Sequence, residues 1–329
     1  MQNLNQQVVM YRLDTLVCFD AHGSDALGFL QSQLTQDIRQ ASATQGTLAG
    51  YCTAQGRLLA TMVLTGTPDS DRYRVIIARD LQETLLKRLR MFVLRSKVTL
   101  ELATNQTVFG VVVPEAHASQ MVAALGHPLP STPWESLTTA SGTWIAAPTA
   151  KPDGLRYWWV ADPEYAQATL ANKLGDVYRF ESAEQGWQVQ DIQAQLAWIN
   201  GSNQDLFIPQ TINLDLIGGV SFTKGCYPGQ EVVARAHYRG TVKRRMHVAK
   251  ITNEPGVLIS PASDIFHSTE SENPCGRVIN QASEAEQTWL LFEVPDKQIE
   301  TLGSSGSLHV GRSDGPALSL VASAPIGQG

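Results

Sequence analysis

The sequence predicts an α+β protein of more than one domain. Two observations carry that expectation. Strand–helix–strand units recur through the first 240 residues, and after Gly240 the helical signals give way to short apolar stretches between turns. No glycine-rich nucleotide loop stands behind a strand, so neither a Walker loop nor a dinucleotide fingerprint is present.

Residues 7–19 open in a strand-like pattern of Val8, Val9, Tyr11, Leu13, Leu16, Val17 and Phe19. Gly23-Ser24 then reads as a turn and N-cap for a helix carrying Leu27, Leu30 and Leu34. Tyr73, Val75, Ile76 and Ile77 predict a strand. Asp80 with Glu83 three residues on predicts the start of a second helix, with Leu81, Leu85 and Leu89 along one side. Lys97 to Leu100 predicts the next strand, and Val108 to Val113 a buried one. Pro114 then opens a helix that Gly126 ends. Tyr157 to Val160 is a further strand, followed by Asp162 as N-cap, Pro163 at the first helical position and Gly175 past the end. Past Gly240, Val257-Leu258-Ile259 and Trp289 to Phe292 lie between Gly, Pro and Ser turns, and Gly303 to Gly306 continues that texture. A small β-barrel is expected there, with a domain boundary near 240: residues 1–239 form two α+β subdomains and 240–329 the barrel.

A chain of 329 residues exceeds one comfortable core, which agrees with two or three packed domains. The first seven residues hold no basic stretch leading into an apolar run, and no segment reaches the roughly 18–20 apolar residues of a membrane span. A cytoplasmic protein without membrane association is expected. The cysteines, at 18, 52, 226 and 275, form no C-x-x-C pair, so neither a zinc ribbon nor a disulfide framework is predicted. His22, His237 and His247 stand at no ligand spacing, and no metal is assigned. The net charge of −6 argues against a generally nucleic-acid-coating protein. Two stretches are nonetheless basic, Lys87-Arg88-Arg90-Arg95-Lys97 and Lys224-Arg235-Arg239-Lys243-Arg244-Arg245-Lys250. They suit an anionic ligand, from a polyglutamate tail to RNA phosphate, or are two solvated faces.

The densest stretch is Lys224-Gly225-Cys226-Tyr227-Pro228-Gly229-Gln230-Glu231. Glycines at 225 and 229 permit close backbone approach and positive φ, and Pro228 stiffens the loop between them. A cysteine on such a loop, with Lys224 beside it and cations following, has the surroundings that favour a thiolate. The residues alone leave a second reading open, in which the loop is only a tight turn and Cys226 packs as a small apolar side chain.

This stretch resembles the K-G-C-Y-x-G-Q-E signature of the YgfZ family, and Val233 to Gly240 resembles its continuation. Phe29 to Ile38 is similar to the family's N-terminal helix motif, Phe92 to Val98 to its F-x-x-R-S-K-V stretch, and Phe207 to Gln210 with Asn213-Leu214 to the lead-in of the cysteine loop. The resemblance spans roughly residues 10–250. It implies the fold of the glycine-cleavage T-protein (aminomethyltransferase): a three-domain ring of two intertwined α/β subdomains and a C-terminal small β-barrel. It also implies folate binding, tetrahydrofolate or a derivative, and a role in iron–sulfur cluster assembly or repair that reaches tRNA modification through cluster enzymes. Iron–sulfur proteins, tRNA-thiolating enzymes among them, are the partners implied; direct nucleic-acid binding stays open. Cys226 and Lys224 are the catalytic candidates. Trp187, Gln193, Tyr227 and Arg235 are the folate candidates, and Gly225, Gly229, Gln230 and Glu231 complete the motif.

Three positions depart from the relatives. Where the T-protein carries an aspartate after a G-x-L stretch, Gly56-Arg57-Leu58 is followed by Leu59 and Ala60, neither of which can act as a base. Gln193 stands in place of a glutamate, offering a carbonyl oxygen without charge, and Leu16 in place of a second tryptophan. An aminomethyltransferase activity is therefore not expected. Two alternatives to a folate-binding assembly factor are a folate-dependent one-carbon transferase and a non-enzymatic RNA or protein interaction module using residues 239–245.

Overall fold

The computed structural model describes residues 7–322 apart from 70, 151–153, 239, 241, 254–257, 270–271, 301 and 303–305. The elements in chain order are β1 (Val8–Arg12), β2 (Leu16–His22), α1 (Ala26–Gln33), β3 (Gly46–Cys52), β4 (Leu58–Gly66), β5 (Arg72–Ala78), α2 (Gln82–Arg90), β6 (Thr99–Leu102), β7 (Thr107–Pro114), α3 (Ala118–Leu125), β8 (Ser136–Thr139), β9 (Gly142–Ala147) and β10 (Gly154–Ala161). There follow α4 (Pro163–Leu174), β11 (Tyr178–Glu181), α5 (Gln185–Gln193), α6 (Gln230–Tyr238), β12 (Arg244–Thr252), β13 (Asp264–His267), β14 (Gly276–Glu284), β15 (Gln287–Pro295), α7 (Asp296–Glu300), β16 (Leu308–Val310) and β17 (Ser319–Leu320). The strands form three sheets, ordered β11-β1-β7-β10-β9-β8, β3-β4-β5-β2-β6 and β16-β13-β14-β15-β12-β17. Pairing is antiparallel in the described ladders except for β1 with β11, so the class is α+β.

The chain gathers into two compact units. One holds residues 1–32, 37–48 and 62–187; the other holds 33–36, 49–61 and 188–329. The first unit's six-stranded sheet owes its stability to near-continuous apolar strands. Six consecutive residues of β10 are buried, and Trp159 stacks on Trp144 of β9 at 4.2 Å. Met121 of α3 and Ala166, Leu170 and Leu174 of α4 close over that surface. Asp162 caps α4 by accepting from the Tyr165 amide at 2.9 Å, with Pro163 beginning the helix, and Gly126 ends α3 in the left-handed region.

In the second unit the C-terminal sheet packs Val278, Leu290, Phe292 and Val294 into its own core. The segment 316–321 joins its ends: Leu318 donates to Leu308 of β16, and Val321 donates to Val248 of β12. The sheet thereby curls round on itself, the barrel-like end expected from the turn-rich texture.

Several expected elements are displaced. The first strand-like stretch divides into β1 and β2 because the chain turns at Asp14-Thr15, where Leu16 donates to the Leu13 carbonyl at 3.1 Å. Helix α1 stops at Gln33, so Leu34 falls in a bridge to Tyr51, and Leu27 is 37% exposed. The strand expected at Lys97 starts at Thr99. Helix α2 is entered through a single tight turn at Arg79–Leu81, with no side-chain cap on Leu81. Leu258, 97% exposed, and Ile259 lie in no strand; Val257 and residues 303–305 fall outside the described residues.

Candidate functional site

The cysteine loop is built in the second unit, between the 3-10 turn Pro209–Ile212 and helix α6. Of the four cysteines only Cys226 is exposed. Burial pushes the thiols of Cys18 and Cys52 up to about 12, which leaves both protonated and inert at neutral pH. Cys226 is thus the one accessible thiol of the four.

The residues around Cys226 hold the loop from below. Lys224 is 6% exposed, and its ammonium donates to the carbonyls of Leu34 at 2.6 Å and Gln36 at 2.9 Å. It also sits 5.3 Å from the centre of the Tyr227 ring. Tyr227 is buried, which raises its phenol pKa, with Cys52 adding to the rise. Lys224 is therefore an anchor whose charge faces backbone carbonyls, and Tyr227, next to Cys226 in the chain, keeps its ring buried.

Gly229 carries the tightest constraint. Its φ is +81°, and a Cβ there would lie 2.4 Å from the Thr53 carbonyl oxygen and 2.6 Å from the Gly56 Cα. Two backbones meet at this point, that of the cysteine loop and that of the hairpin turn joining β3 to β4. Gly56 answers from the other side with φ +75°, 2.9 Å from the Val232 Cβ by the same measure. Gly225 differs: its φ is not positive, and a Cβ would meet open space. Its absence of a side chain leaves the approach to Cys226 clear rather than relieving strain.

Gln230 begins α6, with Glu231 and Arg235 exposed on the helix. Val233 is fully buried, and Gln210 donates to its carbonyl at 2.7 Å. At the far end of α6 the His237 ring stacks on Phe222 at 3.7 Å, tying the helix to the segment just ahead of the motif. Arg244 and Arg245, from the second basic stretch, are already paired. Arg244 forks onto Glu293, and Arg245 onto Asp215 at 2.7 and 3.1 Å. The stretch is therefore less positive than its sequence implies; Arg239 and Thr241 lie outside the described residues.

The folate candidates divide differently. Trp187 is 1% exposed within the first unit, its ring against the Gly110 backbone on β7 and under the Arg156 guanidinium at 4.1 Å. Its face is occupied, and its indole N–H has no acceptor among the described residues. Gln193, half-buried, lies six residues further along α5, about 240° round the helix, so the two side chains do not share a face. Nearby, Asp191 is buried and accepts from the Trp198 indole at 3.0 Å. In the Gly56–Ala60 stretch, Leu59 offers a backbone carbonyl already bonded by Gln204 at 2.7 Å, and Ala60 is fully buried.

The sequence reading missed the β3–β4 hairpin and the Leu34–Gln36 segment, both of which complete the loop. The hairpin had a visible signal: Gly56 in Thr53-Ala54-Gln55-Gly56-Arg57 between two largely apolar runs is turn chemistry. The Leu34–Gln36 segment acts through backbone carbonyls, which no side-chain pattern announces.

No family model matches the chain. Among curated proteins it is 32% identical over 239 residues to the tRNA-modifying protein YgfZ of Edwardsiella ictaluri, covering 73% of this chain and 70% of that one. It is 34% identical over 240 residues to its namesake in Yersinia pseudotuberculosis, with the same coverage. The glycine cleavage system aminomethyltransferase T of Bartonella henselae shares the fold, with a TM-score of 0.71 over 98% of this chain and 87% of that one, at 13% identity.

Proposed function

The chain belongs to the YgfZ family, and from that premise we propose that it supports tRNA modification as a folate-binding factor for iron–sulfur enzymes, through the thiol of Cys226. The observation that carries this reading is the contrast among the cysteines: one is exposed on a clamped loop and three are buried. A single accessible thiol suits nucleophilic chemistry or transient ligation of a cluster in transit, and a loop fixed by Lys224 and Gly229 presents it in one place. Aminomethyl transfer is disfavoured, because no carboxylate stands at Leu59 or Ala60 to assist it.

Folate is the ligand this family membership favours. What Trp187 offers it is an unpartnered indole N–H rather than an open stacking plane. Folate would supply one-carbon or redox chemistry when bound, and the chain's part would be to hold and orient it.

The test is complementation of a strain lacking its own family member, with thiolated tRNA nucleosides read by mass spectrometry. Wild type should restore them, and Cys226→Ser should not, although its melting temperature is unchanged. Full restoration by Cys226→Ser overturns the thiol role. Calorimetry with tetrahydrofolate completes the test: Trp187→Phe, which keeps an aromatic ring but loses the N–H, should bind about tenfold more weakly than wild type. No binding by wild type removes folate from the proposal.

A further inference from the structure

The second unit contains a cavity of about 410 Å³ apart from the loop of Cys226, lined by Arg57, Arg244, Arg277 and Glu293 together with Phe207 and Ile208. That volume falls in the range of small-molecule sites, roughly 300–1,000 Å³. Three guanidiniums face one carboxylate, so the lining carries a surplus of positive charge.

The register of the C-terminal sheet explains how these groups come together. Arg277 of β14 lies directly across from Glu293 of β15, and Arg244 of β12 lies across from Pro295, two residues further on. Residues two apart on a strand share a face, so all three side chains rise from one side of three adjacent strands. Arg244 spends its charge on Glu293, with Nε to Oε2 at 2.6 Å and Nη2 to Oε1 at 3.0 Å, and bonds the Cys275 carbonyl as well. Among the described residues Arg277 meets only Asp264, at 3.3 Å, in an ion pair with both partners more than two-fifths exposed; such a pair is weak and easily exchanged.

Arg57 comes from the β3–β4 hairpin. Backbone bonds between Leu58 and Phe207 and between Asp205 and Leu58 pin its strand to the 205–207 segment. Its side chain donates to the Leu206 carbonyl at 2.5 Å, and it has no carboxylate partner among the described residues. A guanidinium steadied from behind by a neutral carbonyl keeps its charge for an anion.

We propose that this cavity binds a small molecule carrying an oxyanion, phosphate or carboxylate, which Arg57 and Arg277 grip while its organic part lies along Phe207 and Ile208. The site goes beyond the role given to Cys226 and does not depend on it. The Arg244–Glu293 pair fixes the floor and limits the surplus charge, which favours an anion of low charge over a polyphosphate.

Calorimetry on the full chain tests it with inorganic phosphate, adenosine 5′-monophosphate, 4-aminobenzoyl-glutamate and, as the uncharged comparison, adenosine. One of the two organic anions should bind and adenosine should not, and which anion binds identifies the oxyanion. Arg57→Gln and Arg277→Gln should each weaken that binding at least tenfold, while the outlying Arg312→Gln leaves it unchanged. Arg277 is exposed enough that its variant will fold even if loss of the Arg57–Leu206 bond disturbs the other. Absence of binding by either organic anion to folded wild type overturns the proposal. So does binding that Arg277→Gln and a folded Arg57→Gln leave intact.

Discussion

Two glycines flank Cys226, and the structure gives them opposite work. Gly229 sits at φ +81° with the Thr53 carbonyl where a Cβ would go, whereas Gly225 faces open space. Gly229→Ala should therefore cost at least about 2 kcal/mol, since a left-handed residue alone costs roughly 1–2 and the backbone contact must also open. Gly225→Ala should stay within about 0.5 kcal/mol. Urea titration of the two variants reads the difference, and equal destabilisation would mean that the hairpin does not clamp the loop. At this scale much of the site was legible: the K-G-C-Y-P-G-Q-E run announces a presented cysteine through its own residue types. What Lys224 does was not. Its partners are carbonyls of Leu34 and Gln36, almost two hundred residues away, and carbonyls carry no sequence label.

Among the elements, those with local punctuation were legible. Asp162-Pro163 and Gly175 bound α4 where their chemistry says, because a cap satisfies amide groups that the helix cannot satisfy itself. Asp162→Ala should accordingly lower stability by about 1 kcal/mol, and thermal melting checks it; Asn at 162 should restore most of the loss. Elements without such signals were misread or passed over. The division between β1 and β2 depends on a turn at Asp14-Thr15 with no glycine or proline. The hairpin of β3 and β4 has a glycine, but its neighbouring strands are so continuously apolar that periodicity could not separate strand from buried helix. Strand β14 is broken by a register shift between Val278 and Asn280, which blurs its alternation.

For the whole molecule, acid should be a sharper enemy than the net charge of −6 suggests. Arg39 bonded to Asp37 holds that carboxyl at about 2, below its ordinary 3.8. The amides of Ser131 and Thr132 hold Glu135 at about 2, below its ordinary 4.5. A carboxyl depressed by folding contributes fully above its unfolded value and loses that contribution as pH falls through its folded one. Stability should thus drop between about pH 4.5 and 2. Melting temperatures across that interval should fall less steeply for Asp37→Asn combined with Glu135→Gln than for wild type, and parallel curves would rule these two groups out. The α+β class and the curled C-terminal sheet were legible from the order of elements. That the segments 33–36 and 49–61 gather with residues 188–329 was not, because long-range association leaves no periodicity.

That association has a consequence for how the chain emerges from a ribosome. The carbonyls of Leu34 and Gln36 are synthesised about 190 residues before the lysine that satisfies them, and the Thr35 hydroxyl waits 184 residues for the Gly219 carbonyl. At roughly 5–20 residues per second, these long-range bonds stay unmade for about ten to forty seconds. Throughout that interval the segment has only its local partners, the bridge from Leu34 to Tyr51 and the hydrogen bonds between Thr35 and Gly50. The second unit can complete only after the cysteine loop has been translated, so Cys226 reaches its presented position late in the birth of the protein.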